Sequence, residues 1–341
     1  MAHVSLVPTG QEFPVGAHED ILSAALRSGI NVRYGCRHGN CSSCKQWLVD
    51  GEVDSSAASC YAIPRSEIED GAILLCCAFA KSDLVIEIEQ DDDMEELPPM
   101  VPPSPRQATV RAVRALTPSL VELRVEVERP LSFRAGQYVE FTVDGTAERR
   151  SYSLVNAPSS DRELVFCIKR IKHGMFSGTI DQLRPGWRLN LEAPFGTMFL
   201  RDTGRPVLTA AIGSGIAPIM SILTDAAERE VSFPIRFYYG VRTAADLPYL
   251  EEIAMLSKRL PDFEFIPCLS GEPSGPHFGG RLRRVTRVIA EDIKDASAYD
   301  AYLCGAPEMC DVLGRLLEAK GLPGRRIYAD RFYPAIPAPN S

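Results

Sequence analysis

Cys36-Arg37-His38-Gly39-Asn40-Cys41-Ser42-Ser43-Cys44 places three of the chain's ten cysteines in one short loop, and Cys76 follows at a distance. The spacing C-x4-C-x2-C with one remote cysteine is that of a [2Fe–2S] cluster. Four thiolates must converge on two irons from one tight loop and one distant segment. Gly35 and Gly39 let the backbone bend closely around such a cluster, so that its amides reach sulfur. A structural zinc site is the rival reading. Zinc ribbons prefer two short Cys-x2-Cys pairs, however, and here one pair is replaced by a single distant cysteine. Cys76 and Cys77 are adjacent, and spacing leaves the choice between them open.

Outward from this loop, residues 1–95 read as one module. A helix is expected over Asp20–Ser28, with Asp20 as N-cap and Gly29 as stop. Strands are expected over Lys45–Val49 and Leu84–Ile88. A charge run, Asp91–Glu96, leads into a proline-dense stretch with prolines at 98, 99, 102, 103 and 105. Such composition favours an extended spacer, so residues 96–105 are expected as a linker. Residues 106–202 hold short β-type runs at Thr109–Val113, Leu120–Val127, Gln137–Val143, Arg150–Leu154, Leu164–Arg170 and Arg188–Leu191. With glycine and proline between them, these suggest a small antiparallel β-barrel. Residues 203–341 alternate apolar runs (Val207–Ile212, Ile235–Tyr239, Glu264–Pro267, Ala301–Cys304) with helix-like segments (Pro218–Arg229, Leu250–Arg259, Glu308–Ala319). That alternation predicts a parallel α/β sheet.

The 341 residues and 45% hydrophobic content suit two or three domains. No segment reads as membrane-spanning, and the N-terminus lacks the basic start and apolar block of a secretory signal, so a cytoplasmic protein is expected. In that setting clustered cysteines indicate metal or redox work. Cys60, Cys77, Cys167, Cys268, Cys304 and Cys310 are scattered, and most of these are expected as small buried residues. Residues 1–95 hold 6 Lys+Arg against 16 Asp+Glu, whereas the rest hold 31 against 29. This acidity argues against nucleic-acid binding. It is either a solvated surface or a means of steering towards a basic protein partner.

Motifs in two further modules carry chemistry. In Arg150-Ser151-Tyr152-Ser153, strand alternation puts Arg150 and Tyr152 on one face. The ring can lie against an isoalloxazine and the guanidinium can grip a phosphate, while Ser153 can reach the flavin N5. Gly174-Met175-Phe176-Ser177 is expected to open a helix whose amides meet a diphosphate. Pro194-Phe195-Gly196 closes the module. In the third module Gly213-Ser214-Gly215-Ile216-Ala217-Pro218 follows an apolar strand, as a dinucleotide-binding turn does, although Pro218 stands where a third glycine is usual. Tyr239-Gly240-Val241-Arg242 and Cys304-Gly305-Ala306-Pro307 lie at the ends of neighbouring strands, where ligands of open α/β sheets gather. Cys304 either walls the nicotinamide or packs in the core.

Together these residues resemble the ferredoxin–NADP reductase superfamily joined to an N-terminal plant-type ferredoxin, over nearly the whole chain. Leu74-Leu75-Cys76-Cys77-Ala78-Phe79 is similar to the ferredoxin pattern Leu-x-Cys-x-Ala-aromatic, which assigns Cys36, Cys41, Cys44 and Cys76 as the metal ligands. Asp330-Arg331-Phe332 resembles an acidic-x-Phe signature whose aromatic lies close to the flavin. The departures are His173 in place of a glycine before Gly174, and Ser214 in place of a more usual threonine. The resemblance implies a β-grasp-like ferredoxin domain, a flavin barrel and a nicotinamide domain, with FAD and NADH as cofactors. Arg150, Tyr152, Ser153, Gly174, Met175, Phe176, Ser177, the 213–218 turn, Arg242, Cys304 and Gly305 would bind them. Tyr152, Ser153, Cys304 and Phe332 would shape hydride transfer. The domain order is similar to reductase components of bacterial diiron monooxygenases acting on methane, propane, alkenes, phenol or toluene. It implies a monomer that passes electrons from NADH to an oxygenase protein. A reductase of a Rieske-type dioxygenase is the alternative, and a zinc-binding dinucleotide sensor a remote one.

Overall fold

The computed structural model describes residues 1–56, 62–88, 100–143, 145–146, 148–271 and 280–333. Cys60, the Asp91–Glu96 run and the first prolines of the expected linker lie outside the described residues. The chain divides into two compact units, residues 1–103 with 333–341, and residues 104–332.

The first unit contains β1 (Ala2–Val7), β2 (Gln11–Val15), α1 (Ile21–Arg27), β3 (Lys45–Asp50), β4 (Val53–Asp54), α2 (Arg65–Glu69), β5 (Ala72–Leu74), β6 (Phe79–Ala80) and β7 (Leu84–Glu87). Five strands form a mixed sheet in the order β2-β1-β7-β3-β5, with β1 and β7 parallel. Period-two alternation buries Val4, Leu6, Phe13, Val15, Leu84 and Ile86, and α1 buries Ile21, Leu22, Ala24, Ala25 and Leu26. The ends of α1 follow from the expected capping residues. Asp20 accepts the Ser23 amide at 2.9 Å. Gly29 turns left-handed at φ +75°, while Gly29 and Ile30 donate to the carbonyls of Leu26 and Ala25.

In the second unit, β8 (Ser104–Ala115), β9 (Leu120–Val127), β10 (Tyr138–Thr142), β11 (Arg149–Ser153), β12 (Glu163–Lys169) and β13 (Arg188–Phe195) form one antiparallel sheet. Its order is β11-β10-β13-β8-β9-β12. The edge strands meet at a single bridge, Leu154 with Phe166, and not along a ladder, so the observed element is a six-stranded sheet where a barrel was expected. The expected linker ends too late: Ser104 and Pro105 already pair with Ala193 and Glu192. Proline is accepted there because β9 pairs with β8 only from Ala108 onward, which leaves the position without a second neighbour.

The remainder of this unit is a five-stranded parallel sheet of β14 (Val207–Ile212), β15 (Ile235–Val241), β16 (Phe263–Leu269), β17 (Asp300–Gly305) and β18 (Ile327–Arg331), ordered β16-β15-β14-β17-β18. Helices α3 (Ile216–Glu228) and α4 (Leu250–Arg259) join the apolar cluster on one face, and α5 (Val285–Asp292) and α6 (Pro307–Glu318) the cluster on the other. α5 and β18 were not expected. α5 is only eight residues long and buries only Val285, Val288 and Ile289, and β18 is five residues long and fully buries only Tyr328, so each leaves a short signal in the sequence. The strand order reverses between β14 and β17, and this opens the crevice at their C-terminal ends in which such folds bind ligands. Among the described residues no helix is long and apolar enough to cross a membrane.

Candidate functional site

In the cysteine loop Arg37, Gly39 and Ser42 all take left-handed φ, at +58°, +72° and +58°. These reversals turn amides inward. His38 and Asn40 each donate to Cys36 Sγ at 3.3 Å, and the Cys36 amide donates to Cys41 Sγ at 3.2 Å. Gly35 has Cys41 Sγ and Ser43 Oγ against it, so a Cβ there would meet both at 3.1–3.2 Å. The four sulfurs fall into two pairs. The Cys36 thiol donates to Cys41, and that bond holds Cys41 down at about 5. Cys44 Sγ lies 3.4 Å from Cys76 Sγ, and its hydrogen bond holds Cys76 down at about 3. Two thiolates on one tetrahedral metal with bonds of about 2.3 Å stand about 3.8 Å apart, so the Cys44–Cys76 pair suits one metal. Among the described residues no three His, Cys, Asp or Glu side chains gather at one metal position. This donor set therefore fits a two-iron cluster better than a single zinc. Cys77 is buried with its sulfur 3.7 Å from that of Cys76, and it is Cys76 that faces Cys44.

The loop has a support that sequence reading missed. Arg37 donates to Ser23 Oγ at 3.1 Å, and Ser23 Oγ donates to Asp20 at 2.6 Å. The helix cap thus also anchors the cluster loop, a relation between positions 14 residues apart that no local motif announces.

On β11, Arg150 and Tyr152 share a face as expected, while Ser153 is buried on the other, opposite Tyr138. Arg150 donates to Met175 Sδ at 3.0 Å and pairs with Glu148 at 2.7 Å. The Tyr152 ring packs 5.3 Å from Phe176, and its hydroxyl lies beside Ser177. Burial raises the phenol well above its usual range, so it stays protonated as a donor. A cation, a flat ring, two hydroxyls and the exposed Met175 therefore meet on one patch that suits a flavin and its phosphates. The helix expected at Gly174–Ser177 is instead a run of turns, in which Gly178 donates to the Gly174 carbonyl at 2.8 Å. A Cβ on Gly178 would collide with that carbonyl, and one on Gly174 would collide with Ser177 Oγ.

At the sheet crevice, Gly213 is left-handed at φ +54° and opens a short turn through Ser214 and Gly215 into α3. Gly215 has no room for a Cβ against the Cys304 carbonyl. Ile212 fits between Gly240 and Gly305, where a Cβ would meet its side chain at 2.9 and 2.7 Å. Ile216, Ala217 and Pro218 are core, so their contribution to a ligand is through backbone and the helix terminus. Cys304 follows the packing alternative: it is fully enclosed, its thiol pushed far up by burial, and it offers no surface to a nicotinamide. Phe332 is half-buried, and its amide donates to the Gly305 carbonyl at 2.8 Å. Arg242 is exposed just beyond β15.

Three domain families match in sequence order. The 2Fe-2S iron-sulfur cluster binding domain matches residues 4–81, the oxidoreductase FAD-binding domain 107–200, and the oxidoreductase NAD-binding domain 210–314. The chain is 37% identical over 336 residues to the reductase component of propane 2-monooxygenase from Mycolicibacterium goodii, covering 96% of each chain. It is 34% identical to the reductase component of phenol 2-monooxygenase from Pseudomonas sp., covering 98% of this chain and 95% of the other. Among solved structures, a cytochrome P450 reductase from Amycolatopsis superposes with a TM-score of 0.89 at 30% identity, covering 98% of this chain and 99% of the other.

Proposed function

The chain belongs to the iron–sulfur flavoprotein reductases built from 2Fe-2S, FAD-binding and NAD-binding domains, and on that premise we propose that it carries electrons from NADH to the hydroxylase protein of a multicomponent monooxygenase of the alkane, alkene, phenol or toluene type. The observation that carries this reading is its near end-to-end similarity to the reductase components of propane and phenol monooxygenases. The bound cofactors supply the chemistry, hydride acceptance at the flavin and one-electron transfer at the cluster.

The chain's own residues bind and orient. Arg150 offers its guanidinium to phosphate, in the place where Met175 Sδ now accepts from it. Tyr152 presents its ring as a wall, and Ser177 fixes the phenol's direction. The turn from Gly213 admits a dinucleotide phosphate to backbone amides at the start of α3. Ile216 and Ala217 fill the space beneath and exclude water. Arg242 supplies a cation on the rim, and Phe332 closes the crevice beside Gly305. Cys36 with Cys41 would hold one iron and Cys44 with Cys76 the other, with the amides of His38 and Asn40 stabilising the sulfur charge. No step needs a catalytic acid or base.

The likeness to a cytochrome P450 reductase supports a second reading, in which the acceptor is a haem protein. Supplying the reductase with NADH and either a diiron hydroxylase or a cytochrome P450 separates the two. Product from the hydroxylase is the expected result. Reduction of the P450 haem with no hydroxylase turnover would replace the first reading with the second.

A further inference from the structure

Deep beneath the dinucleotide turn lies a phenol that packing alone does not require. Tyr239 sits on β15 in register with Ala211 of β14, and its side chain is fully buried. A buried hydroxyl is costly unless it is paired. That of Tyr239 donates to the Gly213 carbonyl at 2.8 Å. Phe237 shows that a plain phenyl ring fills the same apolar cluster, so the hydroxyl of Tyr239 has a use beyond filling space.

The geometry of a trans peptide says what that use is. In the plane joining Gly213 to Ser214, the carbonyl and the next N–H point in opposite directions. The Tyr239 hydroxyl and the Ile216 amide both bond this carbonyl, and holding it there would aim the Ser214 amide the opposite way, toward the crevice. Gly213 pays in conformational freedom for this orientation by lying at φ +54°. The seat of Tyr239 includes the flavin-binding sheet: Cys167 on β12 and Tyr249 at the start of α4 belong to the same buried cluster. Tyr249 is itself left-handed at φ +57°, a conformation that a bulky residue keeps only when its surroundings impose it. Its hydroxyl is buried facing Glu122 of β9 and Cys167.

Resting on the reading of 213–218 as the dinucleotide turn, we propose that Tyr239 is a positioning residue for NADH: its hydroxyl fixes the Gly213 carbonyl and thereby aims the Ser214 amide at the dinucleotide phosphate. It acts on binding of the dinucleotide and not on the transfer that follows.

The test is NADH-dependent cytochrome c reduction by the full-length holoprotein, comparing Tyr239→Phe, Gly213→Ala and the double variant. Nothing lies within 4 Å of a Cβ at Gly213, so alanine there strains only the backbone. Loss of one hydrogen bond predicts a KM for NADH raised about fivefold in Tyr239→Phe, with kcat, flavin content and iron content unchanged. Gly213→Ala raises KM similarly, and the double variant is no worse than the poorer single one, because both disturb one contact. If Gly213→Ala raises KM and Tyr239→Phe does not, Tyr239 merely fills the core and the proposal fails while the turn's role stands. If neither moves KM, the dinucleotide reading of the turn fails as well. A fall in kcat with loss of flavin in Tyr239→Phe, or a fully multiplicative double variant, also overturns the proposal.

Discussion

The cysteine loop and the dinucleotide turn solve the same problem, holding a charged group against backbone amides, by opposite uses of side chains. At the cluster site the three loop thiols and that of Cys76 would be the ligands, and three left-handed loop residues bring amides to support them. In the turn, Ile216, Ala217, Pro218 and Cys304 are all turned into the core, and the backbone faces the crevice. A site made of side chains announces itself by residue type. A site made of backbone announces itself only through the glycines that let two chains approach.

The comparison breaks most visibly at the loop. Cys36→Ser removes one of the paired thiolates. Cytochrome c reduction is expected to fall by an order of magnitude or more, since loss even of an outer-shell partner of a metal ligand costs about 10- to 100-fold, while anaerobic NADH still bleaches the flavin. Unchanged cytochrome c reduction would mean that electrons bypass the cluster. Next in size is Gly215→Val, which forces a side chain into the Cys304 carbonyl. Overpacking of this kind costs about 1–3 kcal/mol, seen as a lowered melting temperature, with NADH oxidation lost and the cluster spectrum kept.

Arg150→Ala tests the flavin patch, where side chains serve again. Charge-assisted hydrogen bonds are worth about 1.5–3 kcal/mol, so flavin affinity measured by titration of deflavinated protein should drop roughly 10- to 100-fold. The smallest effect sharpens the contrast. Ile216→Val should cost about 0.5–1.5 kcal/mol of stability, read by denaturant unfolding, yet leave the KM for NADH where it was. A raised KM there would mean that the side chain itself touches the dinucleotide.

The same contrast explains what could be read from the sequence. The cysteine spacing, the Asp20 and Gly29 signals around α1, and the apolar strand before Gly213 are local, and each element formed where it was expected. Local reading failed where a tertiary approach decides. Gly174-Met175-Phe176-Ser177 looks like a helix start, but Gly174 and Gly178 close on each other and make turns. The enclosure of Cys304 depends on two neighbouring strands and the turn above it, none of which its own motif encodes. α5 and β18 are short, eight and five residues, and bury few side chains, so local reading had little to work on. The anchoring of Arg37 through Ser23 to Asp20, and of Gly213 through Tyr239, joins residues distant in sequence, and only the folded chain reveals it.

The central claim, that one chain joins a nicotinamide site to a flavin and a two-iron cluster, is tested most directly by the visible spectrum of the purified protein before and after anaerobic addition of NADH. Overlapping flavin and iron–sulfur bands that both bleach on NADH are the expected result. A colourless protein, free of iron and acid-labile sulfide after cofactor-replete growth, would contradict it.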